Sequence, residues 1–148
     1  LSRYGAEVVF HRVSQKPGKP LLFGRKGPQL IFGLPGNPLA SHFCFHRYVA
    51  AAVRRMEGKR PVADPVLGEL TRPVQPKRGR TFFIAAVAGR DLEAESVWKV
   101  HPSRGTSSAD IFASARANCY AELPPGKAPV PAGETVRFTW LGNSPWPD

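Results

Sequence analysis

The 148 residues carry 21 lysines and arginines against 11 aspartates and glutamates, a formal net charge of +10, and 42% of them are hydrophobic. That apolar share argues against a disordered chain and supplies the core of one ordinary domain or of two small ones. The charge favours a polyanionic or phosphorylated partner, without choosing among nucleic acid, a membrane surface and a small phosphate ester.

The two cysteines, Cys44 and Cys119, form no framework of the kind small secreted domains use. No apolar run approaches the length of about 18 residues that a membrane span needs, and the N-terminal segment lacks the apolar core and cleavage site of a signal peptide. A soluble, cytoplasmic protein with reduced thiols is expected.

In chain order, Leu1 to Gly5 read as the last turn of a helix closed by Gly5, as though the chain begins in mid-domain. Val8, Val9, Phe10 and Val13 then predict a strand over 7–13. "QKPGKP" interrupts it, because two prolines and a glycine exclude a helix and do not fit inside a central strand. Residues 21–23 form a second strand, "GRKGPQ" a turn and residues 30–32 a third strand. At Asn37 the pattern changes: asparagine is a favoured N-cap, and Pro38 suits the first helical position, where no backbone donor is needed. The helix runs to Glu57, with Phe45, Val49, Ala52 and Met56 at helical spacing, Arg54 and Arg55 near its negative end, and Gly58 as C-cap.

"GKRPVADP" marks a boundary near residue 60. Beyond it the chain reads as β-rich, with strands over 81–88, 96–100, 118–123 and 135–140 and one short helix within "SSADIFASARAN". No internal repeat is present, and the tail "GNSPWPD" reads as frayed.

Residues 30–41 join a strand, a Gly-rich turn and a capped helix, an arrangement that aims backbone N–H groups and a positive dipole end at one point. The same residues also suit any strand-to-helix joint, and local chemistry leaves both readings open. The segment is not a P-loop, since no Lys-Ser or Lys-Thr follows the glycine. "KPGKP" offers Lys16 and Lys19 on a loop stiffened by Pro17 and Pro20, suited to an oxyanion or to a solvated turn. If both loops leave one edge of the sheet, they strengthen each other. His42 and His46 have metal-ligand spacing, but no third ligand accompanies them, so helix packing is the expected role. Cys44 is expected to be a core thiol. Phe82, Phe83 and Trp98 lie in strand-like runs where packing accounts for them, so nucleic acid is not the expected partner despite the basic clusters "GKR", "PKRGR" and "HPSR".

"KPGKPLLFG", followed by "LIFGLPGNP" and a long helix, resembles the molybdopterin molybdenumtransferases, whose relatives include the gephyrin E domain. "GAEVVFHRVSQ" and "ADIFASARANCYAELPPG" fit the same order, so the resemblance covers nearly the whole chain. It implies an α/β fold class: residues 1–60 as the end of a molybdopterin-binding three-layer α/β domain, then residues 61–148 as a small β-rich, barrel-like C-terminal domain. It further implies an enzyme that inserts molybdate into adenylylated molybdopterin (molybdopterin-AMP) in a magnesium-dependent step with release of AMP, working as a dimer. On this sequence Lys16 and Lys19 match the catalytic lysines. Gly18, Pro35, Gly36, Asn37, Pro38 and Ser41 match the segments that hold the pterin, and no metal ligand is assigned.

The chain departs from the family pattern at three places. Ala40 stands where the motif carries serine, with Ser41 one residue further on. Ala85 stands where relatives carry an arginine after a Gly-Arg pair, and Ser107 and Ser108 align only loosely. The family's Gly-Gly-Ser loop and acidic metal ligands precede the point where this sequence begins. A chain inactive by itself is therefore expected, with a non-catalytic scaffold module of the same family as the alternative. An incomplete sheet with an apolar face around Val8, Phe10 and Ile31 is expected to self-associate or find a partner.

Overall fold

The computed structural model describes residues 2–60, 64–90, 97–103, 115–126 and 128–142. A 3-10 turn, Ser2–Tyr4, closes at Gly5 (φ +65°) and leads into β1 (Glu7–His11). Next come β2 (Gln15–Lys16), β3 (Leu22–Lys26) and β4 (Gln29–Gly33). β3 lies between β1 and β4 in an antiparallel sheet. Phe10, Phe23 and Phe32 stack across it with centroids 5.6 and 4.9 Å apart.

The turn expected over "GRKGPQ" is narrower than the sequence suggests. Pairing continues to Lys26↔Gln29 and leaves only Gly27 and Pro28 outside the ladder, since Gly27 at φ +54° supplies the reversal. "QKPGKP" also departs from expectation: Gln15 and Lys16 pair in parallel with Thr81 and Phe82 before the first proline removes a donor.

α1 (Pro38–Cys44) continues through a π-helical turn, Phe45–Val49, into α2 (Ala50–Met56), with Glu57 as C-cap and Gly58 at φ +75°. The helix spans the expected residues, but its buried face differs. The expected stripe leaves Phe45 46% and Met56 70% exposed, while Ala40, Phe43 and Cys44 are buried. Neighbouring positions 43 and 44 both face inward, and the wide π turn then re-aims the helix so that Tyr48 joins the same packed cluster.

The remaining strands are β5 (Val66–Leu70), β6 (Thr81–Arg90), β7 (Trp98–Pro102), β8 (Cys119–Leu123) and β9 (Thr135–Trp140). Their order β6-β7-β5-β9-β8 returns to β6 and closes a five-stranded barrel, antiparallel except between β5 and β7. β6 is ten residues long; β7 covers only residues 86–90 on one side, and β2 takes the open edge at 81–82. β5 escaped the sequence reading because Gly68 and Glu69 break its apolar run. A Cβ at Gly68 would stand 2.8 Å from Val100 Cγ2 and 2.9 Å from the Trp98 carbonyl, so close packing requires glycine there. The helix expected within 107–118 lies outside the described residues except for 115–118.

Alternation along β6 divides two cores. Ala86 and Ala88 face the barrel interior with Val100, Ala121, Leu123 and Phe138. Phe83 and Ala85 face outward and meet Leu21, Phe43, Cys44 and Tyr120, forming the seam on which the helix rests. Phe43 lies 4.8 Å from Phe83 and 4.9 Å, edge-on, from Tyr120. Arg47 caps this seam 4.4 Å above the Phe83 ring.

Candidate functional site

Leu22 pairs with both His11 and Gly33, so the segment between β1 and β3 and the turn after β4 leave the same end of the three-stranded sheet. The "KPGKP" loop and the "LPGN" turn are therefore neighbours at that end, the condition under which the two oxyanion readings strengthen each other.

The lysine loop is tightly held. Val13 N–H donates to the Lys19 carbonyl at 2.9 Å, and Arg12 N–H to the Leu21 carbonyl at 2.8 Å. Gly18 is buried at φ +90°, and a Cβ there would fall 2.4 Å from Cys44 Sγ and 2.8 Å from Gln15 Nε2. Gln15, the one buried polar side chain among the described residues, accepts a short hydrogen bond from Tyr48 Oη. Gln15 and Tyr48 thus anchor the loop to the helix, a role the sequence did not reveal because they lie 33 positions apart. With the backbone fixed from beneath, the Lys16 and Lys19 side chains stay exposed.

The second loop is built as a helix start. Asn37 Oδ1 accepts from Ala40 N–H at 3.2 Å, the Asn37 carbonyl accepts from Ser41 N–H at 2.9 Å, and Pro38 opens the helix. The Ser41 hydroxyl donates to the Pro35 carbonyl. Asn37, Pro38, Pro35 and Ser41 therefore serve the joint itself, and the cap contributes on the order of 1 kcal/mol. Gly36 and Pro38 are the exposed members, and no atom lies within 4 Å of where a Gly36 Cβ would stand.

His42 and His46 stack with centroids 4.5 Å apart, and His42 Nδ1 lies 3.2 Å from Tyr120 Oη, tying helix to barrel. No group of three potential metal ligands occurs among the described residues, where the two imidazoles contact each other and Tyr120. Burial, helped by the charge of His42, lowers the His46 pKa below 6.5. Burial pushes the Cys44 thiol up to about 11 and Cys119 to about 12, which leaves neither ionised as a nucleophile at neutral pH. Burial also raises Tyr48, against the opposing influence of Arg47. Ala40 and Ala85 are both buried, Ala85 within the helix–barrel seam. Ser107 and Ser108 lie outside the described residues.

These features define a two-part protein: the end of an α/β unit carrying paired loops, seated on a closed five-stranded barrel. Residues 68–141 match the family described as "MoeA C-terminal region (domain IV)", and residues 2–55 match that described as "Probable molybdopterin binding domain". The chain belongs to the MoeA family, as a C-terminal portion. It is 32% identical over 139 residues to a molybdopterin molybdenumtransferase of Synechocystis sp., covering 93% of this chain and 32% of that protein. A Staphylococcus aureus (strain Mu50) protein of the same name is 33% identical over 132 residues, covering 88% of this chain and 31% of that protein. The solved molybdopterin biosynthesis moea protein of Pyrococcus horikoshii aligns with a TM-score of 0.70 at 25% identity, over 90% of this chain and 32% of that one. A Pyrococcus furiosus molybdenum cofactor biosynthesis protein aligns at 0.71 and 25%, over 90% of this chain and 45% of that one. The chain spans about a third of the length of the curated relatives it matches. Among the described residues no helix is long and apolar enough to cross a membrane.

Proposed function

We propose that the chain is the C-terminal portion of a molybdopterin molybdenumtransferase, which inserts molybdate into adenylylated molybdopterin and releases AMP. Residues 1–60 end the molybdopterin-binding α/β domain, and residues 61–148 are its β-rich companion. The observation that carries this reading is the meeting of the Lys16–Lys19 loop and the Gly36 turn at one sheet end, in a chain whose two family matches stand in this order.

In this reading Lys16 and Lys19 place ammonium groups against molybdate or phosphate oxygens and offset the charge that gathers as two anions approach. Gly18 lets the loop lie flat on Cys44, so the two cations are held with little left to order on binding. Gly36 presents open backbone, and Asn37, Pro38 and Ser41 keep the turn in shape. Magnesium has no carboxylate set among the described residues. Of the expected apolar face, Phe10 and Ile31 are half-buried. The exposed apolar side chains there are Val8 and Val9 on one edge strand with Leu30 and Leu34 on and after the other, 39–48% exposed, which offer apolar edges to a second copy of the chain.

A non-catalytic scaffold role is the second reading. It is favoured by Ala40 and Ala85, where serine and arginine are expected of the family, and by the apolar seam that encloses Ala85. Calorimetric titration with molybdate and with molybdopterin-AMP separates the two. Binding is expected in the native chain and should weaken about tenfold or more in Lys16→Ala/Lys19→Ala, the scale of lost charge-assisted contacts. Equal heats from both proteins would sink the catalytic assignment.

A further inference from the structure

The lysine loop is held by both parts of the molecule, and the two holds meet at Gln15. From the barrel, Thr81 N–H donates to the Ser14 carbonyl at 3.2 Å, and the Ser14 hydroxyl donates to the Gly79 carbonyl of "PKRGR" at 3.0 Å. β2 then runs along β6 with Gln15 opposite Thr81 and Lys16 opposite Phe82. Thr81 and Phe83, two residues apart, share the face of β6 on which the helix rests. Gln15 falls on that face and is buried, whereas Lys16 leaves from the opposite face and is exposed. Successive residues of a strand point to opposite sides, so whatever fixes Gln15 also fixes the direction of Lys16.

The helix fixes Gln15. Tyr48 Oη donates to Gln15 Oε1, and Gln15 Nε2 lies 4.0 Å from Cys44 Sγ. The same nitrogen stands 2.8 Å from where a Gly18 Cβ would be, so the amide floors the loop between Lys16 and Lys19. Burial raises the Tyr48 pKa, which keeps the phenol protonated as a donor at neutral pH. Filling this space does not require a buried amide, since apolar partners of the same shape can replace a buried hydrogen bond with little change in stability. Such partners lack direction: a hydrogen bond weakens steeply away from its line, and hydrophobic contact does not.

We propose that Gln15 and Tyr48 are positioning residues, whose hydrogen bond aims Lys16 at the oxyanion. This deepens the reading of Lys16 as an anion-facing residue and rests on it. In this role neither residue touches substrate; both act through the Lys16 ammonium group by holding the short strand that carries it.

The test exchanges the bond for an apolar pair of similar size, Gln15→Met/Tyr48→Phe, in the full chain. Thermal unfolding should stay near that of the native chain, while calorimetric affinity for molybdate falls several-fold. Tyr48→Phe alone, which strands the Gln15 amide oxygen, should melt earlier than the pair variant and bind molybdate no better. In a Lys16→Gln background the paired exchange should change molybdate affinity by less than about twofold, because the group acted upon is gone. Hydrogen exchange at the Val13, Gln15 and Leu21 amides, which donate within the loop, should quicken while barrel amides keep their rates. Unchanged molybdate affinity in the pair variant overturns the proposal. An equal fold-loss with and without Lys16 also overturns it, because a purely structural role acts on both backgrounds alike. Native molybdate binding that is absent or indifferent to Lys16→Gln, with loop exchange quickened in the pair variant, rejects the oxyanion reading and retains Gln15 and Tyr48 as the hold on the loop. Loop exchange at native rates in the pair variant rejects that hold as well.

Discussion

The barrel and the three-stranded sheet handle their strand edges in opposite ways. Each barrel strand pairs on both sides, and Val100, Ala121, Leu123 and Phe138 are fully buried inside the closed ring. In the sheet β1 and β4 each have a single partner, and Val8, Val9, Leu30 and Leu34 remain exposed around a stack of three phenylalanines. Closure removes edges and gives a core that excludes water on every side, whereas an open sheet depends on what covers it. The two regions meet at the seam of Phe43, Cys44, Phe83 and Tyr120, so the loops proposed to bind anions are held by a helix that rests on the closed barrel.

Breaking each region separately sharpens the comparison. Phe138→Ala should remove about 3–5 kcal/mol by opening a cavity in the barrel; denaturant unfolding that shifts by less than 1 kcal/mol would show that the barrel is not the stable region. Gly18→Ala should cost about 1–3 kcal/mol through overpacking against Cys44, in addition to the positive-φ strain. It should also lower molybdate affinity by tilting the lysine loop, a change that chemical melts and titrations measure together.

A smaller effect concerns pH at the seam. The folded state holds His46 below its ordinary 6.5, so the unfolded chain takes up protons first as pH falls through that value, and stability declines from there downward. His46→Gln should flatten the slope of melting temperature against pH below 6.5, and an unchanged slope would remove His46 from the account. The least effect is expected on the uncovered face, where Met56→Lys should change stability by no more than about 0.5 kcal/mol. A large loss in equilibrium melts of the same chain would show that this helix face has a partner.

Local chemistry made several elements legible. Asn37 and Pro38 announced the helix start, Gly58 its end, and alternation marked β9 over the residues it occupies. β5 was hidden because its central glycine, which close packing requires, carries no side-chain pattern. The expected stripe through Phe45 and Met56 assumed regular 3.6-residue spacing, which the π turn breaks, and the helix was buried through Phe43 and Cys44 instead. In the candidate site, Lys16, Lys19 and the Gly36 turn were visible as motifs. Gln15 and Tyr48, which fix the loop, were not, because their bond joins distant positions.

The sequence by itself determined the main helix and the order of most strands, though not β2 or β5, since caps, prolines, glycines and the two lysines act through neighbours within a few residues. Only the tertiary structure decided that the lysine loop and the Gly36 turn share one sheet end, that "PKRGR" is tied to Ser14, and that the helix presents Phe43 rather than Phe45 to the barrel. Those outcomes depend on strand register and barrel closure, which are set by contacts between residues far apart in the chain.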